Sequence, residues 1–172
     1  MIDEPLRRIR SFGPVADARS RILILGSIPG AMSLEKKQYY GNPLNQFWKI
    51  IYAVFGHAVE EDYRHRCAFL KSKGVALWDV IESCERPGSS DSAITNARPN
   101  DITRLVAEHR AISAILFNGQ AAEKIYKKHT GYEAAPDIAF RVLPSTSPAN
   151  TMKYEEKYTR WKSAIRESLG VS

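Results

Sequence analysis

The sequence predicts an α/β protein, a three-layer α/β/α domain on a four-stranded, mainly parallel sheet. Short apolar runs recur along the chain: Ile22-Leu23-Ile24-Leu25, Val75-Ala76-Leu77-Trp78, Ile112-Ser113-Ala114-Ile115-Leu116-Phe117 and Ala139-Phe140-Arg141-Val142-Leu143. Between them lie segments whose apolar residues repeat at helical spacing, so strand and helix alternate. A strand that is apolar on both pleat faces is covered on both sides, as a parallel sheet between helix layers requires. The 172 residues suffice for one domain, 1–172, with a sizeable core.

The elements follow in order. Residues 1–20 read as a lead-in with a short helix at most. The first strand runs into Gly26-Ser27-Ile28-Pro29-Gly30, where two glycines and a proline force a tight turn. Residues 32–38 read as polar and irregular, with Ser33 as a cap. Asn42-Pro43 reads as N-cap and first residue of a helix carrying Leu44, Phe47, Trp48, Ile51, Val54 and Phe55, with Asn45 in its first turn and Gly56 as its stop. A second helix is expected over 62–73, with Tyr63, Cys67 and Leu70 inward. The second strand follows, with Asp79 just past its end. The stretch 82–100, rich in Ser, Gly, Pro and Asn, reads as a long loop. Asn100 or Asp101 caps a third helix through Arg110. Asn118-Gly119-Gln120 turns the third strand into a helix that ends at Gly131. The fourth strand leads into residues 144–150, and Tyr154, Tyr158, Trp161, Ile165 and Leu169 stripe a final helix.

Composition narrows the class. Hydrophobic content of 44% and charged content of 26% are ordinary for a globular protein. No apolar run approaches the ~20 residues of a membrane span, and the charged N-terminus has no apolar segment behind it. A cytoplasmic, membrane-free monomer is expected. The 25 basic and 19 acidic residues leave a net charge of +6, which tilts toward a polyanionic partner. The two cysteines, Cys67 and Cys84, are too few for a four-cysteine metal site and read as small buried hydrophobes. His57, His65, His109 and His129 fall in or beside predicted helices without metal-ligand spacing.

In an open parallel sheet, ligands bind where the strands end at their carboxyl side. Four loops meet there, carrying 26–30, Asp79, 118–120 and 145–150. The turn 26–30 is not a Gly-x-Ser-x-Gly elbow, not a phosphate-cradling loop and not a dinucleotide fingerprint. What converges is amide, hydroxyl and aromatic: Tyr40, Asn45, Trp78, Asp79, Asn118 and Ser145, with backbone N–H groups. That set suits a flat polar ring, stacked on an aromatic face and read along its edge. Tyr40 and Trp78 also fit as core aromatics, Trp78 the better of the two. Asp79 fits equally as a brace for the loop after it.

The pattern Gly26-Ser27-Ile28-Pro29-Gly30, Tyr39-Tyr40-Gly41-Asn42-Pro43-Leu44-Asn45-Gln46-Phe47-Trp48 and Leu143-Pro144-Ser145-Thr146-Ser147-Pro148-Ala149-Asn150 resembles the uracil-DNA glycosylase superfamily. It is most similar to the hypoxanthine-DNA (DNA-deoxyinosine) glycosylase branch. The run from Ala76 through Trp78-Asp79 to Arg86, Asp91-Ser92-Ala93-Ile94, and Leu116-Phe117-Asn118-Gly119-Gln120-Ala121 carry the same resemblance, which covers residues 21–161 in order. It implies a monofunctional glycosylase that flips a deaminated base (hypoxanthine, and also uracil or xanthine) from DNA and hydrolyses its N-glycosidic bond, with no metal and no cofactor. It assigns catalysis to Asn45 and base binding to Ser27, Ile28, Tyr40, Asp79 and Ser145. It assigns the grip on the DNA backbone to Ser147, Pro148, Ala149 and Asn150. The sequence departs from the family at Ile28, where many relatives hold the Asp or Asn that orients water. It departs again at Ser145, in place of His or Asn, and at the small Ala149, where the mismatch branch has a wedging residue.

Such cleavage passes through an oxocarbenium-like sugar while the base leaves as an anion. Preorganised donors stabilise that charge by roughly 3–4 kcal/mol each. The Asn45 amide and the N–H groups of 27–30 are the candidates, with water held by Asn45 or backbone rather than by a strong base. Asp79 is expected to accept from a ring N–H. Two other readings use the same pocket: an enzyme of free nucleosides or nucleotides, and a non-catalytic nucleic-acid-binding module.

Overall fold

The computed structural model describes residues 6–171; the part of the expected lead-in over residues 1–5 lies outside them. Strand β1 (Arg8–Arg10) comes first, then β2 (Ile22–Gly26) and helices α1 (Ala31–Lys36), α2 (Phe47–Val54) and α3 (Tyr63–Ser72). Strands β3 (Val75–Asp79), β4 (Ile81–Glu85) and β5 (Thr95–Pro99) follow, then α4 (Ile102–Glu108), β6 (Ala114–Asn118), α5 (Gln120–His129), β7 (Ala139–Leu143) and α6 (Tyr154–Leu169).

The central sheet has the order β3-β2-β6-β7, and every neighbouring pair is parallel. Ile22, Leu23, Ile24 and Leu25 are each 0% exposed. Ile22 and Ile24 join the core built with α2 and α6, whereas Leu23 and Leu25 join the core built with α4 and α5. This is the two-sided burial that the unbroken apolar run implied. The free edge of β3 is covered by Val15, which exchanges backbone hydrogen bonds of 2.8 and 2.9 Å with Leu77.

Four expectations are corrected. The stretch 82–100 is not a loop: β4 and β5 form an antiparallel pair, and β1 adds to it, giving a second sheet of order β1-β4-β5. Among its described residues the lead-in therefore contains a strand and no helix, the strand tied in by Arg8 Nε donating to Ser83 Oγ at 3.0 Å. The polar stretch after Gly30 is helix α1, and Ser33 is not its cap. It lies inside the helix, 6% exposed, and accepts from Gly41 N at 2.9 Å. Finally, α2 begins at Phe47 and not at Pro43. Asn42 diverts the chain into a turn: its side chain accepts from Leu44 N at 3.0 Å and its carbonyl from Asn45 N at 2.9 Å. Local side-chain bonds of this kind compete with helix formation. Leu44, expected inward, is 71% exposed.

The second sheet matters for the site because of Ile28. Its side chain is 7% exposed and packs with Ile81 and Cys84 in a small third core. The strand-end turn is thereby seated on the hairpin. Among the described residues, no helix is long and apolar enough to cross a membrane.

Candidate active site

At the carboxyl ends of the central strands lies a cleft of about 810 Å³. Ser27, Ile28, Tyr40, Asn45, Asp79 and Ser145 all line it, and 147–150 form part of its wall. Trp78 does not. Its ring packs into the two main cores and its indole N–H donates to the Phe12 carbonyl at 3.0 Å. None of the histidines lines the cleft, and among the described residues no three His, Cys, Asp or Glu side chains gather to hold a metal.

One wall is a closed hydrogen-bond network. Tyr40 has φ +53°, a conformation that a bulky residue adopts only when its surroundings enforce it. Phe47 stacks on its ring at 4.1 Å and 28°. Asn118 Nδ2 donates to the Tyr40 hydroxyl at 3.0 Å and to Thr146 Oγ1 at 2.9 Å, while its Oδ1 accepts from Thr146 N at 2.9 Å. Both amide hydrogens of Asn118 are thus committed to protein partners, and it positions Tyr40 instead of reading a ligand. Burial, and Asp79 after it, raises the Tyr40 phenol well above its ordinary range, so it stays protonated.

The 145–150 loop is equally tied. Ser145 Oγ accepts from Ser147 N at 3.2 Å, Ser147 Oγ accepts from Ala149 N at 3.2 Å, and Asn150 Nδ2 donates to the Ser145 carbonyl at 3.0 Å. Lys157, 2% exposed, donates to Gln46 Oε1 at 3.0 Å and to the Asn150 carbonyl at 2.8 Å. Pro148 and Ala149 are left exposed at the tip.

Asn45 sits just before α2, not within its first turn. Its Oδ1 accepts from Phe47 N at 2.9 Å, satisfying one of the free donors at that helix start. This fixes the amide with its NH₂ available to donate.

The opposite wall is open. Gly26 leaves room for both groups: a Cβ would stand 2.6 Å from Asp79 Oδ1 and 3.0 Å from the Tyr40 hydroxyl, so the Asp79 carboxyl would have to shift. Asp79 is 3% exposed and its Oδ2 has no partner. Burial pushes its carboxyl up to about 7; Asp91 adds to the rise and Arg86 opposes it. Arg86, 5% exposed, donates to the Pro29 carbonyl at 2.7 Å and the Gly88 carbonyl at 2.9 Å, and its Nη1 has no partner. Ser27 Oγ donates to Asp91 Oδ1 at 2.8 Å, and Ala31 N donates to Ser89 Oγ at 2.9 Å. The hairpin tip is stapled to the strand-end turn by these bonds.

Sequence reasoning missed Ser89 and Thr146, which line the cleft, and gave Asp91 no role; it also missed Arg86, which braces the turn from outside the lining. The length of the apparent loop 82–100 and the motif run Asp91–Ile94 within it were the signals for the hairpin residues, and Thr146 lay inside the motif run Leu143–Asn150 without a role of its own. The assembled cleft offers an aromatic face, a fixed amide donor and a buried carboxyl close to neutrality, a set matched to a flat heterocycle with mixed donors and acceptors.

Comparison with known proteins fits this geometry. Residues 12–170 match the profile of the Uracil DNA glycosylase superfamily. A protein of Methanosarcina acetivorans named hypoxanthine DNA glycosylase is 36% identical over 164 residues, covering 91% of this chain and 98% of the relative. One of the same name from Methanosarcina barkeri is 33% identical over 161 residues, with 91% and 98% covered. A solution NMR structure from Methanosarcina acetivorans, solved as a candidate uracil DNA glycosylase, superposes with a TM-score of 0.82 at 33% identity, covering 95% of this chain and 99% of the other. With fold, cleft and sequence agreeing over nearly its whole length, the chain belongs to the uracil DNA glycosylase superfamily.

Proposed function

We propose that the chain is a monofunctional DNA glycosylase of base excision repair that flips hypoxanthine out of DNA and hydrolyses its N-glycosidic bond. The observation that carries this reading is Asp79, a buried carboxyl with an unpartnered oxygen beside a fixed tyrosine. A buried polar atom without a partner costs free energy unless a ligand completes it. Hypoxanthine presents a ring N–H next to a carbonyl. Asp79 meets that edge by accepting from the N–H when ionised or donating to a ring acceptor when protonated. Tyr40 stacks on the base, and the Asn45 NH₂ donates to a ring nitrogen as negative charge develops there. The loop 145–150 supports the DNA backbone, with the net positive charge aiding encounter. The names of the Methanosarcina relatives support hypoxanthine as substrate. Uracil and xanthine share the N–H/C=O edge and are candidate substrates on the same argument. Within this reading the enzyme acts as a monomer in the cytoplasm.

The test is incubation with duplexes carrying a single deoxyinosine, uracil or xanthine, followed by alkaline cleavage of abasic sites. Strand scission at deoxyinosine is expected. Binding without scission on any duplex overturns the enzyme reading in favour of a binding module, and hydrolysis of free inosine alone favours a nucleoside enzyme. With scission established, Asn45→Ala is expected to slow single-turnover excision by about 10²-fold or more, the effect of losing one preorganised donor.

A further inference from the structure

We propose that Asp91 is a catalytic residue: the carboxylate that orients the attacking water and takes its proton, supplied by the β4–β5 hairpin and not by the strand-end turn. The inference rests on the glycosylase reading above and answers the question that reading leaves, namely which group handles the water.

The cleft narrows the choice. Ile28 is apolar and packed on Ile81 and Cys84, so the turn itself offers no side-chain acceptor at that position. Asn45 has its carbonyl committed to Phe47 N and presents only donors to the cleft. Asn118 has both amide hydrogens committed to Tyr40 and Thr146. A proton from water needs an acceptor, and the residues lining the cleft include two carboxyl groups, Asp79 and Asp91.

Their surroundings separate them. Asp79 is on the cleft floor beneath Gly26 and beside the Tyr40 hydroxyl, 3% exposed, with an unpartnered oxygen suited to the edge of a heterocycle. Asp91 is exposed to solvent, from which water arrives. Ser27 fixes its Oδ1 from within the same turn as Ile28, at 2.8 Å, leaving Oδ2 free. The hairpin that carries it is held by Arg86 on the Pro29 carbonyl and by Ala31 N on Ser89. Asp91 therefore stands over the first turn on a braced support, although it is far from that turn in sequence.

The step balances without any further reactant. As the C1′–N9 bond breaks, its electron pair leaves on the hypoxanthine ring. The water oxygen bonds to C1′, one water proton passes to the Asp91 carboxylate, and that proton is released to solvent while the departing base is protonated. A positioned general base of this kind contributes about 10²–10⁴-fold.

The experiment is single-turnover excision from a deoxyinosine duplex by wild type, Asp91→Asn, Asp91→Glu and Asp91→Ala. Binding is measured on the same duplex carrying 2′-fluoro-deoxyinosine, which resists cleavage. Asp91→Asn is expected to slow excision by about 10²-fold or more while binding stays within about threefold. Asp91→Glu is expected to retain part of the rate, and added formate is expected to restore part of the Asp91→Ala rate, which a merely structural residue does not permit. A wild type that cleaves with Asp91→Asn equally fast overturns the role of Asp91 alone. So does an Asp91→Asn variant that loses binding in step with cleavage, together with no formate rescue. A wild type that cleaves no duplex overturns the glycosylase reading itself, and the role of Asp91 with it.

Discussion

The two walls of the cleft differ in how completely they satisfy themselves. On the Asn118–Thr146 side the described polar groups find partners within the protein: Asn118 serves Tyr40 and Thr146, and Lys157 serves Gln46 and Asn150. On the Asp79 side, one carboxyl oxygen of the cleft is buried without a partner, and Arg86, which braces the turn without lining the cleft, has a buried guanidinium nitrogen likewise unpaired. A complete network is rigid and makes shape. An incomplete one is costly to the folded state and gains when something else completes it. The first wall is therefore a support for a stacked ring, and the second is where a ligand's polar atoms are read.

Substitutions on the two sides should behave differently, which offers a way to break the contrast. The largest effect is expected for Gly26→Ala, between the walls. Its Cβ would collide with Asp79 Oδ1 at 2.6 Å. Displacing the reading carboxyl is expected to slow excision by about 10²-fold or more, and overpacking to cost about 1–3 kcal/mol in urea denaturation. A fully active Gly26→Ala protein would show that the floor of the cleft yields freely.

Next comes Asp79→Asn, on the unsatisfied side, with a pH signature. The folded carboxyl is held near 7 by burial and by Asp91, against Arg86, whereas the unfolded one titrates near ~4. Between those values the folded state keeps a proton that the unfolded state releases, so stability falls as pH rises through that window and the full penalty remains above it. Asp79→Asn is expected to match wild type near pH 4 and to exceed it at pH 8 by up to a few kcal/mol. An unchanged slope of stability against pH in the variant would remove Asp79 as its source.

Asn118→Ala, on the satisfied side, should do the reverse. It orphans the Tyr40 hydroxyl and Thr146 N, and is expected to cost about 1–3 kcal/mol at every pH. Equal thermal stability of that variant and wild type would mean the network contributes no rigidity. The smallest effect is expected for Leu44→Ser, at a residue 71% exposed in the turn before α2. Its melting should stay within about 0.5 kcal/mol of wild type.

How much of this was legible depends on the range of the interactions. The central strands were readable because a two-sided buried strand writes its burial into consecutive residues, as Ile22 to Leu25 do. Helix α3 was readable because Asp62 caps it locally, accepting from Arg64 N at 2.8 Å. Strands β1, β4 and β5 were not, since their order comes from pairings such as Arg8 with Glu85, far apart in sequence, and their composition is that of a loop. In the site, topology placed Ser27, Asp79 and Ser145 at strand ends, while Tyr40 and Asn45 were reached through the expected helix start and the family motif; the structure gathers all five but leaves Trp78 out. The commitment of Asn118 to Tyr40, and the arrival of Asp91 at Ser27, are contacts across 78 and 64 residues that no local pattern records.

The left-handed backbone of Tyr40 has a consequence for timing. Its φ of +53° is enforced by the Phe47 stack and the Asn118 bond, both formed within the protein. The conformational entropy of fixing this ring is surrendered once, when the chain folds, and not again at each encounter with nucleic acid. A flipped base would therefore meet a surface already set, and the ordering cost of capture would fall on the DNA.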